Sequence, residues 1–342
     1  MKFDFCIGNP PYQEELEGTS DKPVYNFFID AANEVAEKTE LITPARFLFN
    51  AGKTPKEWNL KMLQDKHFKV LEFNPDANNV FPNVTFTGGI AISYRDNTKV
   101  FGAIEVFSKF KELQSILEKV KKKNNISLPD IMVLQNRFDL EALYEDFPDC
   151  KEKISSDGRE RRIVSSAFQK LSVFHEDKQD NDIVVWGIVN TNSRGVRYIN
   201  RKYIEENENF KYYKVLVPKA NGSGAIGEVV PTVLIGEPFV VQRFVGYTQS
   251  FIGIGKFDNI IEANACLKYV KSKFARCMLG VLKITQDNPP DRWRYVPLQD
   301  FTDKSDIDWS KSIKEIDRQL YKKYGLTEEE INFIELHVKE MA

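Results

Sequence analysis

The sequence predicts an α/β fold over residues 1–108, a mixed α+β region over 109–305 and a helical tail over 306–342. Three observations lead there. Up to residue 96, short apolar runs alternate with segments of helical periodicity, the pattern of strands joined through helices. Between 183 and 256, strand-like runs such as IVVWGIV, YYKVLV, PFVVQRFVG and QSFIGIG succeed one another across Gly, Asn and Pro turns. The final stretch reads as two helices hinged at Gly325, the second opened by the capping box Thr327-x-x-Glu330.

The first strand is FDFCI, residues 3–7, which stops at Gly8. Phe28, Ala31, Ala32 and Val35 share helical spacing and predict a helix over 25–38. ELITPARFLF (40–49) is a second strand broken at Pro44, and a helix follows over 56–66. HFKVLEFNP (67–75) and TGGIAISYRD (87–96), linked by DANNVFPNVTF, read as an antiparallel hairpin. Phe110, Leu113, Ile116, Leu117 and Val120 give an amphipathic helix that runs into Lys121-Lys122-Lys123. Residues 124–182 are polar and irregular. One helix over 262–283 carries Leu267, Val270, Phe274, Met278 and Leu282 on its apolar face, with Lys268, Lys271, Lys273 and Arg276 on other faces.

At 342 residues, 42% hydrophobic and 29% charged, the composition is that of an ordinary globular protein with room for two domains. No run approaches the ~20 apolar residues of a membrane helix. MKFDFCIG also lacks the length and flanks of a signal peptide, so a cytoplasmic location is expected. Cys6, Cys150, Cys266 and Cys277 are scattered and only three histidines occur, so no metal site is expected and the thiols read as buried and free. A net charge of −2 argues against binding nucleic acid by overall charge. It leaves local patches open, such as Lys121-Lys122-Lys123 and Arg159-Glu160-Arg161-Arg162.

The stretch FCIGNPPYQ (5–13) concentrates the chemistry. Asn9-Pro10-Pro11-Tyr12 follows a strand, and ligand sites in open α/β sheets lie at the carboxyl ends of strands. Two prolines stiffen the turn and donate no N–H. The Asn9 side-chain oxygen and the Pro10 carbonyl could together accept both hydrogens of one NH2 group, while Tyr12 offers a face to an aromatic ring. A purine's exocyclic amine is a poor nucleophile because its lone pair is delocalised. Two acceptors on its hydrogens favour the pyramidal nitrogen reached during attack, with no metal or strong base. An N-P-P can also be a plain turn. Asn288-Pro289-Pro290-Asp291, which follows a helix and lacks the aromatic, reads that way.

NPPY after an apolar strand resembles motif IV of the amino-methyltransferases. The neighbouring segments resemble N6-adenine-specific DNA methyltransferases of restriction–modification systems, in particular the large type IIG-like group. KPVYNFFIDAA is similar to motif V, which implies Phe28 beside the adenine of the cofactor. LITPARFL is similar to the following strand end. NNVFPNVTFTGGIAISYRD is similar to motif VIII, which implies that Phe81 stacks on a flipped adenine opposite Tyr12. RYVPLQDF and DIDWSKSIKEIDRQLYKKYGLTEEEINFIE resemble the C-terminus of the same group. The resemblance implies a partial Rossmann-like methyltransferase sheet in 1–108 (motifs IV to VIII), a target-recognition domain in 109–305, and direct methyl transfer from S-adenosylmethionine to adenine N6 of double-stranded DNA, with inversion at carbon. Asn9 and Pro10 would hold the amine, Tyr12 and Phe81 the base, and Pro11 and Phe28 the cofactor. Arg243, Tyr247, Gln249, Lys268 and Lys271 are the expected DNA contacts.

Family members carry an acidic residue and a glycine-rich turn upstream of motif IV, whereas eight residues precede Asn9 here. The expectation is a C-terminal portion whose cofactor lobe is missing or supplied by a partner subunit, with little activity alone. Gly222-Ser223-Gly224-Ala225-Ile226-Gly227 fits G-x-G-x-x-G, but the β-branched EVVPTVLIG follows it instead of a helix, so it reads as a hairpin turn. Pro148-Asp149 with Glu152-Lys153 imitates a nuclease motif at too short a spacing. Two alternatives stand beside the methyltransferase: a non-catalytic DNA-recognition subunit, or half of a split enzyme, that keeps the loop, and an RNA or protein-glutamine methyltransferase. The long region after residue 108 speaks against the latter.

Overall fold

A computed structural model describes residues 3–14, 22–81, 89–154, 158–190, 193–220, 225–227, 230–283 and 287–341. The chain forms a mixed α/β structure of several sheets and divides into two compact units, Met1–Gln114 and Ser115–Ala342.

In the first unit, strand β1 (Phe3–Gly8) leads through the short pair β2 (Gln13–Glu14) and β3 (Lys22–Pro23) into helix α1 (Tyr25–Val35). The helix gives way at once to strand β4 (Ala36–Pro44), so the strand starts four residues before the sequence pattern places it. The cause is local: Ala36 is buried, extended, and donates its N–H to Ala32. Helix α2 (Lys56–Gln64), strand β5 (Phe68–Asn74) and strand β6 (Ile90–Asp96) complete the layer. The sheet order is β1-β4-β6-β5. β1 and β4 are parallel, while β6 runs antiparallel to both β4 and β5. The hairpin expected from 67–75 and 87–96 is therefore present, with its second strand inserted beside β4.

α1 buries Tyr25, Asn26, Ile29 and Ala32, while Phe27, Phe28 and Val35 stay exposed. Beneath it, the Phe47 ring lies 5.3 Å from Trp58 and 6.1 Å from Tyr25. Trp58 Nε1 donates to Asp30 at 2.9 Å and so ties α2 to α1. An aromatic cluster closed by a single indole hydrogen bond is a compact way to hold a small sheet against its helices.

The second unit begins within α3 (Lys111–Lys123). Strand β7 (Met132–Val133), strand β8 (Arg137–Phe138) and the short helices α4 (Leu140–Asp146), α5 (Cys150–Lys153) and α6 (Ala167–Lys170) fill the segment that reads as irregular. Strands β9 (Asp182–Asn190) and β10 (Ser193–Asn200) form an antiparallel ribbon. Strand β11 (Ile204–Glu205) pairs with β8. Strands β12 (Tyr213–Pro218), β13 (Phe239–Val241), β14 (Val245–Tyr247) and β15 (Phe251–Phe257) follow. They arrange as two sheets, β10-β9-β14 and β13-β12-β15-β7.

The helix expected over 262–283 is two helices, α7 (Ile260–Lys271) and α8 (Lys273–Gly280). Ser272 between them is extended and caps α8 by accepting from Ala275 N. Asp317 adds two bonds, accepting from the N–H groups of Lys273 and Phe274. The serine offers the backbone a better arrangement than helix continuation. Helices α9 (Ile313–Tyr324) and α10 (Glu328–His337) meet at Gly325, whose φ of 64° suits glycine, and α10 opens on the Thr327–Glu330 box. Phe274 stacks on Tyr324 at 4.8 Å, which brings this tail onto α8. Cys150, Cys266 and Cys277 are buried free thiols and Cys6 is half-buried. Among the described residues no helix is long and apolar enough to cross a membrane.

Lys214 on β12 is fully buried, its ammonium donating to the carbonyls of Asn209 and Tyr212. Burial pulls its pKa down to about 7. The unfolded chain keeps an ordinary lysine near ~10.4, so between those values the unfolded state binds more protons and this residue's penalty fades as pH rises. Lys214→Met is therefore expected to gain most over the parent below about pH 7, with the advantage shrinking toward about pH 10. Denaturant unfolding of both proteins across that range checks it; a pH-independent difference would contradict it.

Candidate active site

Parallel pairing of β1 with β4, from Phe3 opposite Ala36 to Gly8 opposite Leu41, sets the carboxyl ends of two strands side by side. Asn9 to Tyr12 leave the end of β1. The loop is held to the start of α1, because Val24 N donates to the Tyr12 carbonyl at 3.1 Å. Asn9 and Pro11 are exposed, whereas Pro10 and Tyr12 are half-buried. Burial raises the Tyr12 hydroxyl above its ordinary pKa, and the Asn9 side chain beside it partly offsets this.

β4 ends at Pro44, where Ala45 N donates to Gly89 O at 3.0 Å. Gly89 has φ +77°, and a Cβ there would sit 2.4 Å from the Asn74 carbonyl oxygen, so only glycine serves. The chain then turns through the 3-10 segment Arg46–Phe49 and the left-handed Asn50. Gly52, with φ +87°, packs against Arg46, whose Cβ would lie 3.1 Å from an added methyl. Behind this turn Thr54 Oγ1 donates to Asn59 Oδ1 at 2.7 Å, and Asn59 Nδ2 donates to Asn50 Oδ1 at 3.3 Å. Thr54 and Asn59 are both buried, so the relay fixes the turn from inside.

Between the two strand ends lies a cavity of about 210 Å³. The β1 side contributes Tyr12 and Gln13, α1 contributes Tyr25, and the β4 side contributes Pro44, Arg46 and Lys53. Tyr25 is raised by burial, with the Thr54 hydrogen bond and then the Arg46 charge pulling the other way. Asn26 Oδ1 and Thr43 Oγ1, in the elements that frame the cavity, are buried without a partner among the described residues. An aromatic wall, a polar loop and two cations are groups that can contact one planar, hydrogen-bonding ring.

The sequence-expected residues divide. Tyr12 lines the cavity, whereas Asn9, Pro10 and Pro11, which precede it in the loop, lie outside the lining. Phe28 lies on the outward face of α1 at 44% exposure, outside the lining. Phe81 is half-buried after the turn Ala77–Asn79, its N–H donating to Ala77 O, and it too lies outside the lining. The residues after it, 82–88, fall outside those described. Tyr25, Arg46 and Lys53 were not singled out in the sequence. The signal for Arg46 was its place one residue past Pro44-Ala45 at a strand end.

In the second unit, Tyr247 does not reach the surface. It is fully buried and donates its hydroxyl to Val133 O at 2.9 Å, with Asn207 and Asn209 beside it. Lys268 donates to the carbonyls of Trp309, Ser310 and Lys311, and Lys271 pairs with Glu237. Arg276 is buried, with donors on Lys271, Ser272, Val233 and Lys339 carbonyls. The cations expected to form a basic face therefore tie α7 and α8 to their own unit. Arg243 is exposed, over the Tyr213 ring and bonded to Asp258 O, and Gln249 is half-buried. Asp149 and Lys153, of the nuclease-like motif, form an ion pair at 2.6 Å along α5. Gly222 to Gly224 lie outside the described residues, and the next element after them among those described is strand β13. Asn288 is buried, its carbonyl accepting from Trp293 Nε1, as suits a structural turn.

Residues 1–81 match the family model of the Eco57I restriction-modification methylases. This match and a relative's together support the resemblance to adenine-specific methyltransferases of restriction–modification systems. The chain is also similar to an uncharacterized adenine-specific methylase of Mycoplasma pneumoniae, 30% identical over 95 residues. That alignment covers 26% of this chain and 22% of the relative.

Thr54→Val keeps the shape of the relay and removes its donor, leaving the buried Asn59 oxygen unpaired. The expected loss is about 1–3 kcal/mol of stability. Denaturant unfolding measures it, and a loss under about 0.5 kcal/mol would mean that the relay does not hold the turn.

Proposed function

We propose that the chain carries the base-holding part of an adenine-N6-specific DNA methyltransferase of a restriction–modification system, with S-adenosylmethionine as methyl donor. One observation carries this reading: Asn9-Pro10-Pro11-Tyr12 leaves the carboxyl end of β1 and its Tyr12 lines a base-sized cavity, inside the segment that matches the methylase family. The Asn9 side-chain oxygen and the Pro10 carbonyl accept the two hydrogens of the adenine amine, and Tyr12 stacks on the ring. Holding both hydrogens stabilises the pyramidal nitrogen of the attack more than the planar ground state. Stacking offsets part of the cost of taking the base out of the helix, about 1–3 kcal/mol per base. Phe81, at the start of a stretch only partly described, is the proposed second face of that stack.

At about 210 Å³ the cavity is smaller than the ~300–1,000 Å³ pockets that enclose whole ligands, so it suits one base and not a base with the donor. Pro11 and Phe28 are exposed and border the donor at most. The described residues do not by themselves enclose a donor site. β1 is an edge strand, and Phe3, Phe5 and Ile7 along it are 59, 56 and 72% exposed. An edge strand, among the described residues, with an uncovered apolar face is what a further lobe would cover, and we assign the donor site to such a lobe, on the same or a partner chain. The second unit is the proposed DNA-reading part, with Arg243 and Gln249 as its surviving surface contacts.

In the source organism, a chromosomal Asn9→Ala edit is expected to lower N6-methyladenine at the system's recognition sites by about 100-fold or more, the scale of losing one transition-state hydrogen-bonding group. Single-molecule sequencing of parent and edited genomes reads this directly. An unchanged methylation pattern would sink the assignment of the loop.

A further inference from the structure

Two cavities of the second unit differ in the charge of their walls. The larger, about 690 Å³, is walled by Asp303, Asp306, Asp308 and Glu262, which repel a polyanion. The smaller, about 290 Å³, has an apolar floor of Phe138, Ala167 and Leu171, all buried. Its rim holds Lys153, Arg159, Arg162 and Lys170, with Ser166 and Gln249 as the neutral polar groups and no carboxylate among the described lining residues. Four cations around one opening stand out in a chain whose net charge is −2.

The rim is held in place by backbone bonds. Phe138 N donates to Arg161 O, Gln249 N donates to Ile163 O at 2.9 Å, and Arg162 N donates to Arg159 O at 2.9 Å. Arg162 also forms a bridge with Arg137. Lys153 is shared with Asp149, and Arg161 next to the rim is neutralised by Glu205. Arg162 and Lys170 are exposed. The charge on offer is therefore concentrated at fixed positions, beside a hydrogen-bonding amide.

We propose that this pocket is a phosphodiester-binding site for duplex DNA, the sugar resting on the apolar floor and the phosphate held by Arg162 and Lys170. It rests on the DNA reading above and adds the place where the second unit grips the backbone. Guanidinium and ammonium groups on a rigid rim suit a phosphate, and each phosphate neutralised adds to the salt dependence of binding.

Fluorescence anisotropy of the full chain with a labelled duplex of arbitrary sequence, titrated over salt, tests the site. The double variant Arg162→Ala/Lys170→Ala is expected to bind at least about 10-fold more weakly at low salt, with the log–log salt slope reduced by about 2. A control that removes two exposed lysines elsewhere on the unit, Lys178→Ala/Lys304→Ala, is expected to stay within about twofold of the parent. Circular dichroism confirms that both variants are folded. If the double variant keeps parental affinity and slope, the pocket is not the site, and the DNA reading stands. If labelled ATP binds in an Arg162- and Lys170-dependent way and duplex DNA does not, the occupant is a free nucleotide and the proposal fails. If the parent binds no duplex at low salt, the DNA reading itself falls, and this site with it.

Discussion

The parallel pairing of β1 with β4 is the constraint on which the first unit depends. Parallel neighbours put their carboxyl ends at the same edge of the sheet, so the loops after Gly8 and after Pro44 are forced to share one space. Everything at the cavity follows from that coincidence. The loop after β1 brings a stiff, acceptor-rich turn, and the turn after β4 brings Arg46 and Lys53. β6 then covers the other side of β4, and Gly89 at its start fastens Ala45 by a backbone bond that no residue with a side chain could make from there.

In the second unit, burial decides which charges are available outside. Lys214 and Arg276 are inside, where the lysine ammonium and the Nε and Nη1 groups of the arginine donate to backbone carbonyls, and Lys268 and Lys271 brace α7. Such cations are costly to desolvate and contribute cohesion only because their hydrogen bonds are made. The exposed rim cations around Phe138, Ala167 and Leu171 differ in that their guanidinium and ammonium groups meet solvent while their backbone is fixed.

Local signals in the sequence were read well where they rest on short-range chemistry. The NPPY turn after an apolar strand, the β5–β6 hairpin, the Gly325 hinge and the Thr327–Glu330 box all depend on neighbours in the chain. Contacts that depend on distant segments were not legible. Tyr247 looked like a surface aromatic, and its burial comes from Val133, Asn207 and Asn209. The basic residues of 262–283 looked like one face of one helix, but Ser272 breaks the helix and the tail supplies their partners. Phe28 shares helical spacing with Val35, yet both lie on the outward side, since Tyr25, Ile29 and Ala32 take the core.

The central claim is that the space between the ends of β1 and β4 holds one adenine by its amine. Backbone amide NMR of the nitrogen-15-labelled chain, titrated with deoxyadenosine and separately with thymidine, tests it most directly. The account predicts shifts that cluster at Asn9, Tyr12, Gln13, Arg46, Gly52 and Lys53 with deoxyadenosine, and much weaker ones with thymidine, which has no exocyclic amine. Equal responses to both nucleosides, or shifts centred away from these residues, would contradict it.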